Sequence, residues 1–205
     1  MAMKGFQNRK SPRGGVEDFP TPPWGTRALL THVLPQDMSG KVCWEPSANR
    51  GFMVRPLQER FQHVWASDLV DYGVGFPVHN FIGGVAPAFD KPVDWIITNP
   101  PFNRAEEFVQ CALEMAQDGV AVLLRSSWAE GRRRYKTLFS TNPPRLIAQF
   151  TERLPITAGG VSAKAVTMMP YAWFVWRPGG EDQGSTRFMW IPPCRKDLER
   201  EGDYE

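Results

Sequence analysis

Along the chain, short apolar runs alternate with stretches whose apolar side chains recur at helical spacing. A helix is expected over 25–34, with the preceding Thr and Pro residues as its start signal. Residues 41–44 form a short strand candidate, followed by a helix over about 52–61. Residues 63–66 give a second strand, ending in Ser67-Asp68. The run 93–98 is rich in strand formers and stops at Asn99-Pro100-Pro101, where the prolines force the chain out of the sheet. In 105–117, Phe108, Ala112, Met115 and Ala116 share one helical face, and Gly119 ends it. A strand over 120–124, a basic helix over 130–139 and two strands over 145–150 and 171–176 complete the set.

Strands alternating with helices imply an α/β domain, with a mostly parallel central sheet and helices on both faces. No helical pattern separates 145–150 from 171–176, so these two are expected to pair antiparallel near one edge. An open sheet of this kind binds ligands at the carboxyl ends of its strands.

Composition narrows the picture. The 205 residues suffice for one continuous core. The domain is expected over 18–195, with a flexible basic tail over 1–17, a flexible turn over 179–185 and a charged tail over 196–205. Cys43, Cys111 and Cys194 are odd in number and far apart, which gives neither a disulfide framework nor a zinc site and suits a reducing cytoplasm. His32, His63 and His79 show no metal-ligand spacing either. The polar, basic start does not read as a signal peptide. No run reaches the roughly 18 apolar residues of a membrane span, so a cytoplasmic protein is expected. The net charge of +2 does not by itself announce a nucleic-acid binder.

The candidate chemistry lies at Asn99-Pro100-Pro101-Phe102, directly after a strand. The Asn99 side-chain oxygen and the Pro100 carbonyl can both accept hydrogen bonds from one amino group. Such a group, conjugated with a ring or carbonyl, is a poor nucleophile. Two acceptors on its hydrogens favour a tetrahedral nitrogen with a free lone pair. Pro100 and Pro101 remove competing backbone donors and stiffen the turn, and Phe102 offers a flat face to a planar group. The alternative is a plain proline turn, and Asn142-Pro143-Pro144-Arg145, which precedes a strand, reads as one. A chance match to the four-residue motif in such a chain is on the order of 1 in 100.

Asn-Pro-Pro-Phe after a strand resembles the catalytic motif of S-adenosylmethionine-dependent amino-methyltransferases, above all the DNA adenine-N6 enzymes, with a Rossmann-like class I fold. The resemblance spans about residues 19–176. Under it, Glu45-Pro46-Ser47-Ala48-Asn49-Arg50-Gly51 resembles the acidic-first, glycine-rich cofactor loop, with Asn49 in place of the first glycine. Asp68 would take the ribose hydroxyls, and Asn80-Phe81 would meet the adenine end where the family carries Asp-Phe. Thr21, Pro22 and Trp24 match a Thr-Pro segment that closes over the methionine end. No strong general base is required, because the proton becomes acidic once the nitrogen is methylated, and no metal is implied.

On the acceptor side, Arg132-Arg133-Arg134 with Lys136 is the densest basic cluster. It is either a set of phosphate contacts or a solvated helix face. The link 153–170 contains Gly159, Gly160 and Lys164 and resembles the segment that closes over an extruded base, which a duplex cannot present without flipping. The expected partner is nucleic acid, DNA first. No recognition domain is evident, so a separate specificity partner is expected. RNA bases, a protein glutamine, or a silent module that kept the fold are the alternatives. Compact size and basic tails suit a phage or mobile-element enzyme by analogy.

Overall fold

A computed structural model describes residues 17–34, 36–83, 87, 89–177 and 184–205. The tail expected over 1–17 therefore lies outside the described residues except for Glu17, as does most of the turn over 179–185.

The elements run α1 (Pro23–Ala28, continued by a wider π-type turn over Leu29–Val33), β1 (Val42–Glu45), α2 (Val54–Gln58), β2 (His63–Ala66), β3 (Trp95–Thr98), α3 (Ala105–Met115), β4 (Gly119–Arg125), α4 (Arg132–Arg134, continued over Tyr135–Phe139), β5 (Leu146–Phe150), β6 (Tyr171–Trp176), β7 (Arg187–Ile191) and α5 (Arg195–Leu198). Among the described residues, seven strands form one sheet in the order β2-β1-β3-β4-β6-β5-β7. Strands β2, β1, β3 and β4 are mutually parallel, β6 runs antiparallel to both β4 and β5, and β7 is parallel to β5.

The central strands β1, β3 and β6 are buried along their whole length, because helices cover both faces. Such strands read as continuous apolar runs rather than alternating ones. Successive side chains still divide between two cores. Trp95 and Ile97 join Trp24, Leu29 and Leu57 on one face. Ile96 joins Phe108, Val109 and Leu138 on the other.

The chain leaves β1 to one side for β2 and returns on the other side for β3. The crevice of an open sheet lies at such a reversal, outside the carboxyl ends of the two strands. Here those ends carry residues 46–51 and 99–104.

The structure departs from the sequence reading in its last third. β7 was not expected. Only Ile191 of its five residues is fully buried, while Phe188 and Trp190 are exposed and pack edge to face at 4.8 Å. The charged end over 196–205 is docked on the domain. Arg27, on α1, bonds Asp203 at 2.7 Å and Glu59 at 2.9 Å, and its guanidinium also donates to the Leu198 carbonyl. Both α2 and α4 are shorter than their sequence patterns suggested.

Gly119 opens β4 where no side chain fits. A Cβ there would lie 2.6 Å from the Trp95 ring and 2.8 Å from the Trp176 carbonyl oxygen. Neither atom can yield cheaply, since Trp95 is packed in the core and the other is sheet backbone. Gly119→Ala is expected to lower unfolding free energy by about 2–3 kcal/mol. Urea denaturation checks this, and a loss below about 0.5 kcal/mol would mean the sheet relaxes there more easily than its packing implies.

Candidate active site

Beyond β1 and β3 opens a cleft of about 1030 Å³, its open mouth included. One wall is the turn after β3. Asn99 Nδ2 donates to the Phe19 carbonyl at 2.9 Å and to Thr21 Oγ1 at 3.0 Å. Both amide hydrogens are therefore used, and the carboxamide is fixed with Oδ1 on the opposite side. That oxygen is buried and has no hydrogen-bond partner among the described residues. A buried acceptor left unmade costs on the order of 1–3 kcal/mol, a cost that a ligand donor set against it would remove.

Pro100, Pro101 and Phe102 continue along the cleft, and residues 102–104 form one tight turn that leads into α3. The Phe102 backbone N–H donates to Glu17 Oε2 at 2.6 Å. The Phe102 ring is half engaged already. Phe19 and Tyr171 flank it at 5.9 and 6.2 Å, and the Arg125 guanidinium lies 4.9 Å from its centroid. Only part of the flat surface expected for a planar acceptor is thus left to the cleft.

The loop after β1 forms the floor. Asn49 sits at φ +50° and Gly51 at φ +84°, backbone angles that asparagine and glycine tolerate best. Asp68, at the end of β2, accepts from the Asn49 N–H at 2.9 Å and the Val70 N–H at 3.0 Å. The carboxylate keeps acceptor capacity for a further donor. Burial raises the Asp68 carboxyl above its ordinary pKa, partly offset by those backbone bonds. At the far end, Asn80, Phe81, Ile82 and Phe108 close an apolar recess, in which Phe81 is braced by Trp44 and Phe108 at 5.0 and 4.9 Å.

Of the residues singled out from sequence, Thr21, Pro46, Ser47, Ala48, Asn49, Asp68, Asn80, Phe81 and the whole Asn99–Phe102 turn line this cleft. Pro22, Trp24, Glu45 and Gly51 do not. Trp24 turns into the core, edge-on to Phe150 at 5.8 Å, because α1 begins at Pro23 and buries that face. Gly51 instead makes room for the Phe76 ring, which a Cβ would meet at 3.2 Å. Arg132, Arg133 and Arg134 lie away from the cleft lining. Arg133 pairs with Glu106, and Arg134 caps the Trp128 carbonyl while stacking on the Trp128 ring at 4.3 Å. Gly159, Gly160 and Lys164 also lie off the lining, and the Gly159 N–H donates to the Asp18 carbonyl at 3.0 Å. Sequence reasoning missed Glu17, Phe52, Met53, Leu69 and, past the candidate catalytic turn, Asn103, Arg104 and Phe108 as lining residues. None of them carries a motif.

Glu45 acts from beneath the loop. It is wholly buried, accepts from Thr98 Oγ1 at 2.6 Å and from the Ser47 N–H at 2.9 Å, and so ties the loop to β3. Burial pushes its pKa up to about 8, against those two bonds. The native state thus holds a proton on Glu45 that the unfolded chain releases near the ordinary value of 4.5. The unfolded state binds fewer protons between those values, so this group makes stability fall as pH rises through that window. Its slope reaches at most about 1.4 kcal/mol per pH unit. Glu45→Gln is expected to flatten the fall. Urea denaturation at pH 5.5 and 8 checks this, and parallel pH profiles in the two proteins would contradict it.

No protein-family model and no curated protein matches the chain. Solved structures do. A candidate RNA methyltransferase from Pyrococcus horikoshii superposes with a TM-score of 0.58 at 21% identity, covering 85% of this chain and 91% of that one. The methyltransferase subunit of a type I restriction-modification system from Streptococcus thermophilus gives 0.59 at 12% identity, covering 92% of this chain. The present chain spans only 50% of that subunit. The 23S rRNA methyltransferase ErmE gives 0.51 at 13% identity, covering 78% of this chain and 69% of that one. The fold is that of the class I methyltransferases. In this methyltransferase fold, the reversal of strand order between β1 and β3 accounts for why the loop after β1 and the Asn-Pro-Pro-Phe turn share one cleft. No helix among the described residues is long and apolar enough to cross a membrane.

Proposed function

We propose that the cleft binds S-adenosylmethionine and that the protein methylates an exocyclic amino nitrogen, with N6 of adenine in DNA as the acceptor. The observation that carries this reading is the Asn99 carboxamide, whose donors are both taken and whose buried oxygen is left free. The residues present fit the cofactor. Asp68 offers carboxylate lone pairs to ribose hydroxyls, Phe81 and Ile82 an apolar recess for an adenine ring, and Thr21 a hydroxyl at the edge nearest Asn99. When bound, S-adenosylmethionine supplies an electrophilic methyl group on a sulfonium sulfur.

Asn99 Oδ1, with the Pro100 carbonyl as second acceptor, takes the hydrogens of the incoming amino group and turns its lone pair outward. A nitrogen methylated in this position would carry an extra proton, which it would lose to solvent. Positioning and exclusion of water supply the rate. Solved neighbours that are described as acting on RNA or belonging to restriction-modification systems support a nucleic-acid acceptor. The link 153–170, joined to the Asp18 carbonyl through the Gly159 N–H, would cover an extruded base. A separate specificity subunit is part of the same reading.

Guanine N2 is the second reading, favoured by Glu17. Its carboxylate lines the cleft beside the catalytic turn and would accept the ring N–H that neighbours the guanine amino group. The corresponding ring nitrogen of adenine is itself an acceptor. Methyl transfer from labelled S-adenosylmethionine to DNA, RNA and cell protein, with Asn99→Ala alongside, tests both. N6-methyladenine in digested DNA is the expected product, and N2-methylguanine would move the acceptor to the second reading. No label anywhere, with no cofactor binding by calorimetry, would overturn the enzyme reading.

A further inference from the structure

Asn49 stands where the resembling family carries glycine, and its side chain has a partner outside its own loop. Its Nδ2 donates to Asp18 Oδ1 at 2.9 Å. Arg50 closes on both oxygens of the same carboxylate, Nη1 to Oδ1 and Nη2 to Oδ2, each at 3.0 Å. Paired, bidentate bonds of this kind fix geometry as well as adding energy. One residue further on, the Phe19 carbonyl holds one Asn99 amide hydrogen, and two beyond that Thr21 Oγ1 holds the other. Residues 17–21 are thus a strap across the cleft. Its Asp18 side chain is gripped by the cofactor loop, and its next residues grip the catalytic asparagine.

The grip on Asn99 decides which way its amide faces. The torsion that turns a carboxamide is broad and roughly two-fold, so the side chain alone does not choose. The Phe19 carbonyl can only accept, and a turned amide would set Oδ1 against it. A turned amide would also present N–H to the N–H of an incoming amino group, donor against donor. The choice therefore depends on where the strap lies, and the Asp18 clasp sets that.

We propose that Asp18 is a positioning residue for methyl transfer, whose clasp by Asn49 and Arg50 registers the strap so that Asn99 presents its oxygen to the acceptor. The proposal rests on the amino-methyltransferase reading of the cleft. It also gives Asn49 a purpose beyond its backbone angle. Glycine would keep the positive φ and lose the side-chain bond.

The test uses side-chain amide resonances of ¹⁵N-labelled full-length protein, with the Asn99 pair assigned by its loss in Asn99→Ala. In Asp18→Ala, Asn99 amide exchange with water is expected to quicken about tenfold or more. Asn49→Gly should shift it in the same direction by less. Thermal melts show whether each variant is folded. In turnover, Asp18→Ala should lower kcat about tenfold and leave the Kd for S-adenosylmethionine within about twofold. An Asn99 pair unchanged in folded Asp18→Ala overturns the proposal, whatever the turnover. A changed pair with an unchanged kcat overturns it as well. If the wild type methylates nothing, the enzyme reading fails, while the amide resonances still decide whether Asp18 sets Asn99.

Discussion

Asn99→Ala is expected to slow single-turnover methyl transfer about 10²–10³-fold, the usual loss when one fixed hydrogen-bonding group at a reacting atom is removed. The Kd for S-adenosylmethionine should stay within about threefold, because the lost contact serves the acceptor rather than the cofactor. The size of the effect follows from preorganisation. Asn99 is already held by Phe19 and Thr21 with its oxygen bare, so no reorganisation is required when the amino group arrives. Asn99→Asp separates two contributions. It keeps an acceptor oxygen but faces the Phe19 carbonyl with a carboxylate oxygen, and it should fall between wild type and alanine. Rapid-quench measurements at saturating cofactor check both variants. An alanine variant within about threefold of wild type would remove Asn99 from the chemistry, since such a loss is far below that of a reacting-centre contact.

Arg27→Ala is expected to lower unfolding free energy by about 3–5 kcal/mol, the range for stripping one partner from a buried ion pair. The Arg27 side chain is 7% exposed and the Asp203 side chain 5%, so the stranded carboxylate cannot recover its hydration in place. Glu59 suffers less, being 28% exposed and also paired with Arg200 at 2.9 Å. Glu59→Gln should therefore cost about 1 kcal/mol or less. The same guanidinium holds the Leu198 carbonyl, so α5 and the segment after it should loosen together in Arg27→Ala. Hydrogen exchange confined to residues 195–205 would show that loosening, and urea denaturation would give the energy. A loss under about 1 kcal/mol would mean the docked end stands on its apolar contacts instead.

Much of the sheet was legible because its central strands are buried on both faces, while the partly exposed edge strand β2 was legible from its apolar residues alone. β2 and β6 have the bounds that their residues predict, and β3 and β4 start within two residues of theirs. The Asn-Pro-Pro-Phe turn was legible because prolines cannot continue β3. β7 was not, since five residues at an edge with two outward aromatics carry no burial pattern. Trp24 shows the limit of resemblance. The segment around it does line the cleft through Thr21, but the start of α1 turns the indole into the core. The links that organise the cleft were invisible for a different reason. Asp18 meets Arg50 across 32 residues, and Asn99 meets Thr21 across 78. No local spacing encodes such pairs.

The place of β6 has a consequence for synthesis on the ribosome. It lies between β4 and β5 and is antiparallel to both, yet it follows both in the chain. Until residue 176 has emerged, one side of β4 and both sides of β5 present unpaired backbone, and the two strands have no common neighbour. A growing chain that stops short of β6 therefore carries open sheet edges, which are templates for association with other chains. The nascent protein depends on its last quarter to seal the middle of its sheet.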